Sequence, residues 1–428
     1  MHIPDGYLSP LFSLATGAAT VPAWTIASRR VNAALSHRMI PLLSVFGAFS
    51  FTIMMFNIPV PGGTTAHGVG GTLAAIVLGP AGAVIAVSIA LIIQALFFGD
   101  GGVLAIFANG LNMGVLLPLV GYGSYRLLAG RSPLLSTRRV WAAGIGAYIG
   151  ITAAALAVGV ELGVQPLLFS ENGQPLYSPY GLAQAIPAML IAHVLGASIV
   201  EALITAFGVA YLQKRHPEYL ASVRTVFAGP DVAEGVATGR PLWQLAAAIV
   251  GGGTLILAIA GLVTGGGDLS RAFGADWTRV DWASVATMLL VVTVLALILV
   301  PLAWLLAPRR MRGLVTGFVA AALLAPVGLI APGFAYGEGS VQDVHAAFGY
   351  VPKGLQQLSG AFSAPLSGYN LPLPFFSDAN AALWQTALGY ELTGMLGILL
   401  LGAVLYGIGR LLLRAGGPSA PADRPPSR

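Results

Sequence analysis

Long apolar segments with few polar positions inside them set the pattern of this chain. Runs of about 18 or more largely apolar residues recur along it, and a helix rising about 1.5 Å per residue needs that length to cross roughly 30 Å of hydrocarbon. Segments such as 288–300 show no alternation of apolar and polar residues, which the strands of a membrane barrel would require. The pattern therefore predicts an all-α, polytopic helical bundle in a lipid bilayer.

The apolar runs predict about eleven membrane spans. The third of them is short, and only Gly79 and Pro80 separate it from the fourth, so a re-entrant segment at 66–79 remains an alternative. The predicted spans are residues 8–28, 39–57, 66–79, 81–98, 103–127, 140–164, 183–212, 242–264, 283–307, 313–332 and 385–413.

Lys and Arg residues fall in alternate loops between these spans. Because cytoplasmic loops are enriched in Lys and Arg, the chain is predicted to run from an outer N-terminus to an inner C-terminus in a bacterial cytoplasmic membrane. The loops at 165–182, 265–282 and 333–384 are then extracytoplasmic. The cytoplasmic clusters are Arg29, Arg30 and Arg38; Arg126, Arg131, Arg138 and Arg139; Lys214, Arg215 and Arg224; Arg309, Arg310 and Arg312; and Arg410, Arg414, Arg424 and Arg428.

The same pattern divides the chain into four regions. Residues 1–215 contain the first seven predicted spans, and residues 241–415 contain the other four. Residues 216–240 carry charges, Pro and Gly without a spanning apolar run, which is typical of a cytoplasmic linker. Residues 416–428 are rich in Pro and Ala, with too few apolar side chains to pack, and are predicted to be a disordered tail.

Composition narrows the chemistry that the bundle can perform. Of 428 residues, 56% are hydrophobic and 9% are charged, more apolar surface than one soluble core would bury. The net charge of +5 comes from clustered Arg residues that report topology, so no nucleic-acid partner is expected. The chain has no cysteine, which excludes thiolate ligands and disulfides. Any metal must be held by nitrogen and oxygen.

The first two residues form a candidate metal chelate. We expect the N-terminus to be retained, because it lacks the basic and apolar regions of a signal peptide. The amine of Met1, the backbone amide of His2 and a ring nitrogen of His2 would then offer three nearly coplanar nitrogens, which suit Ni(II), Cu(II) or Co(II) better than tetrahedral Zn(II). A fourth nitrogen is available from His67, which the predicted topology places on the same side in a Gly-rich and Thr-rich stretch.

Four sequence blocks resemble a known family of metal transporters. They are residues 1–10 (MHIPDGYLSP), 67–80 (HGVGGTLAAIVLGP), 94–102 (QALFFGDGG) and 109–114 (NGLNMG). Their order is similar to that in the substrate-capture components of energy-coupling-factor nickel and cobalt transporters, the CbiM/NikM type, over about residues 1–215.

The resemblance implies a function and a set of partners. It implies that Met1, His2 and His67 bind Ni(2+) or Co(2+) as the transported substrate, with no organic cofactor. It also implies a separate transmembrane coupling subunit and separate cytoplasmic ATPase subunits. Residues 324–333 and the outer-loop stretch 349–355 resemble extensions seen in some members, which favours a fused auxiliary subunit at 241–415. The sequence does not choose between nickel and cobalt.

Other polar or small residues are weaker candidates for a role at the site. His193 and Glu201 are expected to satisfy each other inside the bundle, and we leave them out of the ligand set. A face of small residues on the first span would let a partner helix approach closely, with internal packing as the alternative. That face consists of Ala15, Ala19 and Ala23. Residues that could orient the N-terminal segment, or simply cap loops, are Asp5, Gln94, Asp100, Asn109 and Asn112.

The motifs favour a transporter subunit rather than an enzyme. Neither lysine, Lys214 or Lys353, lies in a phosphate-binding loop, so ATP hydrolysis is expected on a separate subunit. A membrane metallohydrolase would need a clustered His and Glu helix motif, which the sequence lacks. The prediction is the substrate-binding membrane subunit of an ATP-driven nickel or cobalt importer. The alternative is a self-sufficient secondary carrier of metal cations.

Overall fold

The computed structural model describes residues 1–34, 39–60, 64–221, 280–307, 312–331, 335–378 and 381–415. Four predictions concern residues outside these ranges: nearly all of the linker at 216–240, the span at 242–264, most of the loop at 265–282, and the tail at 416–428. The described part of the chain is built mainly of helices, with two short hairpins.

The longest helices form the bundle, and short helices lie in the loops between them. Three π-helical turns, Gln94–Phe98, Gly110–Leu116 and His193–Ala197, interrupt or extend the bundle helices. The helices are α1 (Pro10–Ala34), α2 (Met39–Met55), α3 (Gly71–Ile93), α4 (Ile106–Asn109), α5 (Leu117–Ala129), α6 (Thr137–Gly163), α7 (Gln165–Leu168), α8 (Leu182–Ala192), α9 (Ser198–Arg215), α10 (Pro217–Ala221), α11 (Trp282–Leu306), α12 (Arg312–Leu323), α13 (Val341–Phe348), α14 (Lys353–Leu358), α15 (Pro374–Ser377) and α16 (Leu383–Ala415).

Six described helices are long and apolar enough to cross a membrane, which agrees with the predicted polytopic all-α fold. A shorter apolar helix, Met39–Met55, accompanies them. The count of eleven spans and the N-out, C-in orientation stay predictions. The six helices are Gly71–Phe98, Ile106–Ala129, Thr137–Leu168, Leu182–Arg215, Trp282–Leu306 and Leu383–Leu412.

The predicted third and fourth spans are joined in the structure. The chain is helical from Gly71, and the helix is broken at Gly79, where φ is 77° and ψ is 161°. Gly79 adopts this left-handed backbone angle without strain, and Pro80 has no N–H to donate to the preceding turn, so the helix kinks there and continues. Residues 66 and 67 belong instead to a strand, and the predicted boundary marks the kink.

Two antiparallel hairpins lie among the loops. Strand β1 (Asn57–Val60) pairs with β2 (Thr64–His67), and Asn57 stands opposite His67. The second hairpin pairs β3 (Ser170–Glu171) with β4 (Gln174–Pro175). The predicted span at 313–332 also changes: α12 ends at Leu323, and residues Ala325–Ile330 form a 3-10 helix that packs against β1.

The two halves of the chain share one hydrophobic core. Buried side chains of the N-terminal segment, such as Ile3 and Tyr7, belong to the same cluster as Leu355 and Leu401 from the second half. Helix α16 packs along α2, where Gly397 allows the ring of Phe51 to approach its backbone closely. The second half is thus part of the fold around the N-terminus.

The segment 335–378, which we name the cover loop, lies over the end of the bundle that holds the N-terminus. Backbone hydrogen bonds attach it at two points: the N–H of Gly354 donates to the carbonyl of Leu176 at 2.7 Å, and the N–H of Leu366 donates to the carbonyl of Phe97 at 2.9 Å. These contacts place the cover loop beside the candidate ligands.

Candidate metal centre

The N-terminal segment is inserted into the bundle. Met1 is 4% exposed, His2 is 3% exposed and Ile3 is 1% exposed. The chain then turns at Gly6, whose φ of +91° and whose close approach to the backbone of Leu355 leave no room for a side chain. A free terminus would normally fray, so specific contacts must hold this one in place.

Asn109 and the loop after α3 clamp Ile3. The side-chain oxygen of Asn109 accepts from the N–H of Ile3 at 2.9 Å, and its amide nitrogen donates to the carbonyl of Ile3 at 3.1 Å. The N–H of Gly102 donates to the same carbonyl at 2.8 Å. Asp5 ties the segment to this loop as well, because its carboxylate accepts from the N–H of Leu104 at 2.8 Å. These bonds fix the backbone next to Met1 and His2.

His2 is held at one ring nitrogen and free at the other. Its Nδ1 lies 3.1 Å from Oδ1 of Asp100, while its buried Nε2 has no hydrogen-bond partner within the described residues. The hydroxyl of Tyr369, from the cover loop, donates to Oδ2 of Asp100 at 2.5 Å, and Gln94 donates to that oxygen at 3.2 Å. Burial raises the pKa of Asp100 to about 6. Gln94, Asp100 and Tyr369 therefore orient the His2 ring.

His67 ends strand β2 and shows the same arrangement. A carbonyl only accepts, so Nδ1 of His67 donates to the carbonyl of Gly68 at 2.9 Å, and the lone pair stays on the buried Nε2, which is unpartnered among the described residues. The rings of His2 and His67 are stacked, with centroids 5.0 Å apart. Burial and the terminal ammonium lower the pKa of His2 to about 3 and that of His67 well below its usual range. Both imidazoles are neutral, as a metal ligand requires.

The terminal amine of Met1 faces a carboxylate that the sequence did not single out. Its nitrogen lies 3.2 Å from Oε1 of Glu338 in the cover loop. The hydroxyl of Tyr7 donates to the carbonyl of the next residue, Gly339, at 2.8 Å. Glu338 and Tyr369 were missed because nothing in the local pattern connects a residue of the outer loop to a partner hundreds of positions away. The predicted loop at 333–384 contains three acidic residues, Glu338, Asp343 and Asp378, and no pattern singles out the first of them.

His193 and Glu201 do not form the pair that was predicted. His193 Nδ1 donates to the carbonyl of Met189 at 2.7 Å, one turn earlier in the same helix. Glu201 accepts instead from the N–H groups of Val69 and Gly70, at 2.7 and 2.8 Å. The pairing was wrong because Glu201 accepts from N–H groups at the start of α3. These groups have no acceptor within the helix, and a carboxylate is favourable there. Glu201 thereby positions the backbone that follows His67.

The remaining candidates lie away from the N-terminal segment. Asn112 donates to the carboxylate of Glu161 at 2.7 Å, so its contacts lie on helix α6. On α1, Ala15 and Ala19 are exposed and Ala23 is half-buried against the bundle. Most of this small-residue face therefore has no partner within the described chain.

Side chains alone do not make a metal cluster here. Within the described ranges, no three His, Asp or Glu side chains gather closely enough to hold an ion. The neutral imidazoles of His2 and His67 stand beside the terminal amine, and the His2 amide lies between amine and ring. The donors that lie together here are thus two rings, an amine and a backbone amide, all of them nitrogen.

Comparison with known proteins defines the family. Residues 2–219 match the CbiM family, described as the cobalt uptake substrate-specific transmembrane region. The chain belongs to the CbiM family. This membership confirms the resemblance that the four sequence blocks indicated, and the matched residues include the segment with His2, His67, Asn109 and Glu201.

Relatives of the CbiM family extend the similarity beyond the matched region. The chain is 36% identical over 425 residues, 96% of each chain, to the "Fused nickel transport protein NikMN" of Rhodobacter capsulatus. It is 46% identical over 233 residues to the "Probable fused nickel transport protein LarMN" of Lactiplantibacillus plantarum, covering 53% of this chain and 68% of the relative. A crystal structure of a truncated transition metal transporter is 53% identical, covers 50% of this chain and 100% of its own, and gives a TM-score of 0.48.

Proposed function

We propose that this chain captures Ni(2+) or Co(2+) through four nitrogens: the amine of Met1, the amide and a ring nitrogen of His2, and a ring nitrogen of His67. The observation that carries the proposal is the stacked pair of buried, neutral imidazoles, His2 and His67, whose Nε2 atoms have no hydrogen-bond partner among the described residues. A buried polar atom without a partner is costly. A metal ion bound at Nε2 would relieve that cost at the ring of His67.

Capture requires a local rearrangement of His2. A chelate with the amide of His2 closes a favourable six-membered ring only through Nδ1, and Nδ1 lies on Asp100 in the structure. The ion must therefore break the contact between His2 and Asp100 and turn the ring. Binding must also release two protons to the solvent, one from the Met1 ammonium and one from the His2 amide. The carboxylate of Glu338, the partner of the amine, stays close enough to balance the charge of the bound cation.

The nickel and cobalt assignment is supported by donor chemistry and by relatives. Four nitrogens that include a deprotonated amide favour square-planar or tetragonal ions, and Cu(II) shares this preference. The R. capsulatus relative is named a nickel transport protein, and the CbiM family is described by cobalt uptake. We therefore propose both nickel and cobalt as transported substrates. The proposal includes no organic cofactor.

We place the chain in a bacterial cytoplasmic membrane as one subunit of an ATP-driven importer. No lysine of the chain lies in a phosphate-binding loop, so ATP hydrolysis would need separate cytoplasmic ATPase subunits and a transmembrane coupling subunit. The exposed Ala15 and Ala19 offer α1 as the surface for that coupling subunit, because small residues let helices approach closely.

The C-terminal half would act as a fused auxiliary subunit that closes the site. Its cover loop supplies Glu338 to the amine of Met1 and Tyr369 to Asp100. The R. capsulatus relative, similar over nearly its whole length, is named a fused protein. Metal would then bind between a capturing half and a covering half of one chain.

Uptake measurements separate an ATP-driven importer from a self-sufficient carrier. Radioactive nickel and cobalt uptake is compared in cells that produce this chain alone, with the coupling and ATPase subunits, or with an ATPase that cannot hydrolyse ATP. We expect strong uptake only with active ATPase. Full uptake with the inactive ATPase would instead establish the secondary carrier, and no metal binding by the purified chain would reject both.

A further inference from the structure

We propose that His193 is an inner metal contact, which receives the ion from the site of Met1, His2 and His67 before it moves on through the bundle. This inference rests on the proposed capture of nickel or cobalt. It gives a role to a buried histidine in the helix Leu182–Arg215 that the capture site does not use.

The ring of His193 is prepared as a metal ligand. Its Nδ1 donates to the carbonyl of Met189 at 2.7 Å, which fixes the tautomer and leaves the lone pair on Nε2. The residue is 3% exposed, and Nε2 has no hydrogen-bond partner among the described residues. Histidines that bind metal commonly donate their other ring N–H to a carbonyl or carboxylate, as His67 does here to Gly68.

The position of His193 joins it to the capture site. The π-helical turn His193–Ala197 packs against both strands of the hairpin that ends in His67. At Gly196 the helix comes so close to Val60 and Ala66 that a side chain there would collide with Val60. π-helical turns occur often at functional sites.

The resting structure makes His193 a later contact rather than a third ligand of the capture site. No three His, Asp or Glu side chains form a metal cluster within the described ranges. His193 lies 11 residues after Leu182, where the helix begins, which corresponds to roughly 16 Å of helix. That depth is about half of a hydrocarbon layer. An ion passing inward would find its next nitrogen donor there.

A cysteine at this position reports metal directly, because the natural chain contains none. In purified His193→Cys, Co(II) added beyond the one equivalent that fills the capture site should produce a thiolate-to-cobalt charge-transfer absorption band, since thiolates bind this ion well. The matched control is Ser198→Cys, five residues on. Ser198 is also fully buried, but its hydroxyl contacts Thr152 at 2.9 Å, on the side of helix α6, and no band is expected. If the capture site of His193→Cys is filled with cobalt and further Co(II) still gives no band, the inference is overturned.

Two further variants keep the test decisive if the cysteine variant does not fold. His193→Asn retains a donor for the carbonyl of Met189 but removes Nε2, whereas His193→Gln places an amide where Nε2 was. If His193 contacts the metal, His193→Asn should lower nickel uptake, and this loss should be about tenfold larger than the loss of metal affinity at the capture site. Wild-type uptake in His193→Asn would show that the ring only holds the helix. Absence of cobalt binding in the wild-type chain would instead reject the capture site itself.

Discussion

The carboxylate of Glu338 lies 3.2 Å from the amino nitrogen of Met1, although 337 residues separate the two. The cover loop places the carboxylate there, and the adjacent carbonyl of Gly339 accepts from Tyr7, six residues after Met1. The bond from Tyr7 thereby helps to hold the cover loop where Glu338 meets the amine. The amine faces the stacked rings of His2 and His67 in a site that the two halves of the chain build together.

Replacing Glu338 with glutamine should weaken nickel or cobalt binding by about tenfold, a loss of about 1.4 kcal/mol. The variant keeps an acceptor near the amine but removes the negative charge that balances the bound cation. Calorimetric titration of the purified protein measures the change. The control is Glu171→Gln: Glu171 is an exposed carboxylate that pairs with Lys353, and its loss should leave affinity unchanged. Equal affinities in the wild type, Glu338→Gln and Glu171→Gln would show that Glu338 does not contribute to metal binding.

Asn109→Ala should loosen the N-terminal segment and lower metal affinity. The substitution removes both hydrogen bonds to Ile3, each worth about 1 kcal/mol, so a loss of roughly 2 kcal/mol is expected in the binding free energy. Aminopeptidase digestion should also remove Met1 faster in the apo protein. Gln174→Ala, at an exposed turn, serves as the control. Unchanged digestion and affinity in Asn109→Ala would mean that Ile3 is held in another way.

His67→Asn should abolish high-affinity metal binding, lowering affinity by about 100-fold or more. Asparagine can still donate to the carbonyl of Gly68, whereas the unpartnered Nε2 is lost. Since His67 is 4% exposed, His67→Ala would also leave a cavity and destabilise the apo protein by about 1–3 kcal/mol. Asparagine is thus the cleaner variant. One metal ion bound with natural affinity by His67→Asn would exclude His67 as a ligand.

Much of this architecture was accessible from the sequence, for physical reasons. Apolar runs such as those of α3 and α16 must be helical in lipid, because their backbone groups have no other partners there. The candidate ligands Met1, His2 and His67 followed from the chemistry of a terminal chelate and from the sequence blocks that resemble the family. The structure brings His2 and His67 into ring contact.

Contacts between residues far apart in the chain could not be predicted from the sequence in the same way. The contacts of Glu338 with Met1 and of Tyr369 with Asp100 join loop residues to partners hundreds of positions away, and no periodicity encodes them. The predicted pair of His193 and Glu201 was wrong because spacing along a helix shows a shared face but not which neighbour occupies it. Glu201 accepts hydrogen bonds from the N–H groups of Val69 and Gly70, just before helix α3.

Cysteine labelling tests the predicted orientation in described segments. Gln174 and Arg131 are both exposed, one in the second hairpin and the other after helix α5. For an outer N-terminus, an impermeant maleimide should label Gln174→Cys in intact cells, whereas Arg131→Cys should react only after permeabilisation. The natural chain, without cysteine, is the blank. The reverse labelling pattern would invert the topology and place the metal site on the inner side.

Nickel titration of two purified proteins tests the central claim most directly. One protein begins with an unblocked Met1, and the other carries an acetyl group on the amine of Met1. The acetyl group removes the positive charge and the lone pair of the amine, leaves His2 as the second residue, and must fit where Met1 is already 4% exposed and beside Glu338. The account predicts one tightly bound nickel ion per chain for the first protein and none for the second. One ion bound with equal affinity by both proteins would contradict it, because the amine of Met1 would then not be a ligand.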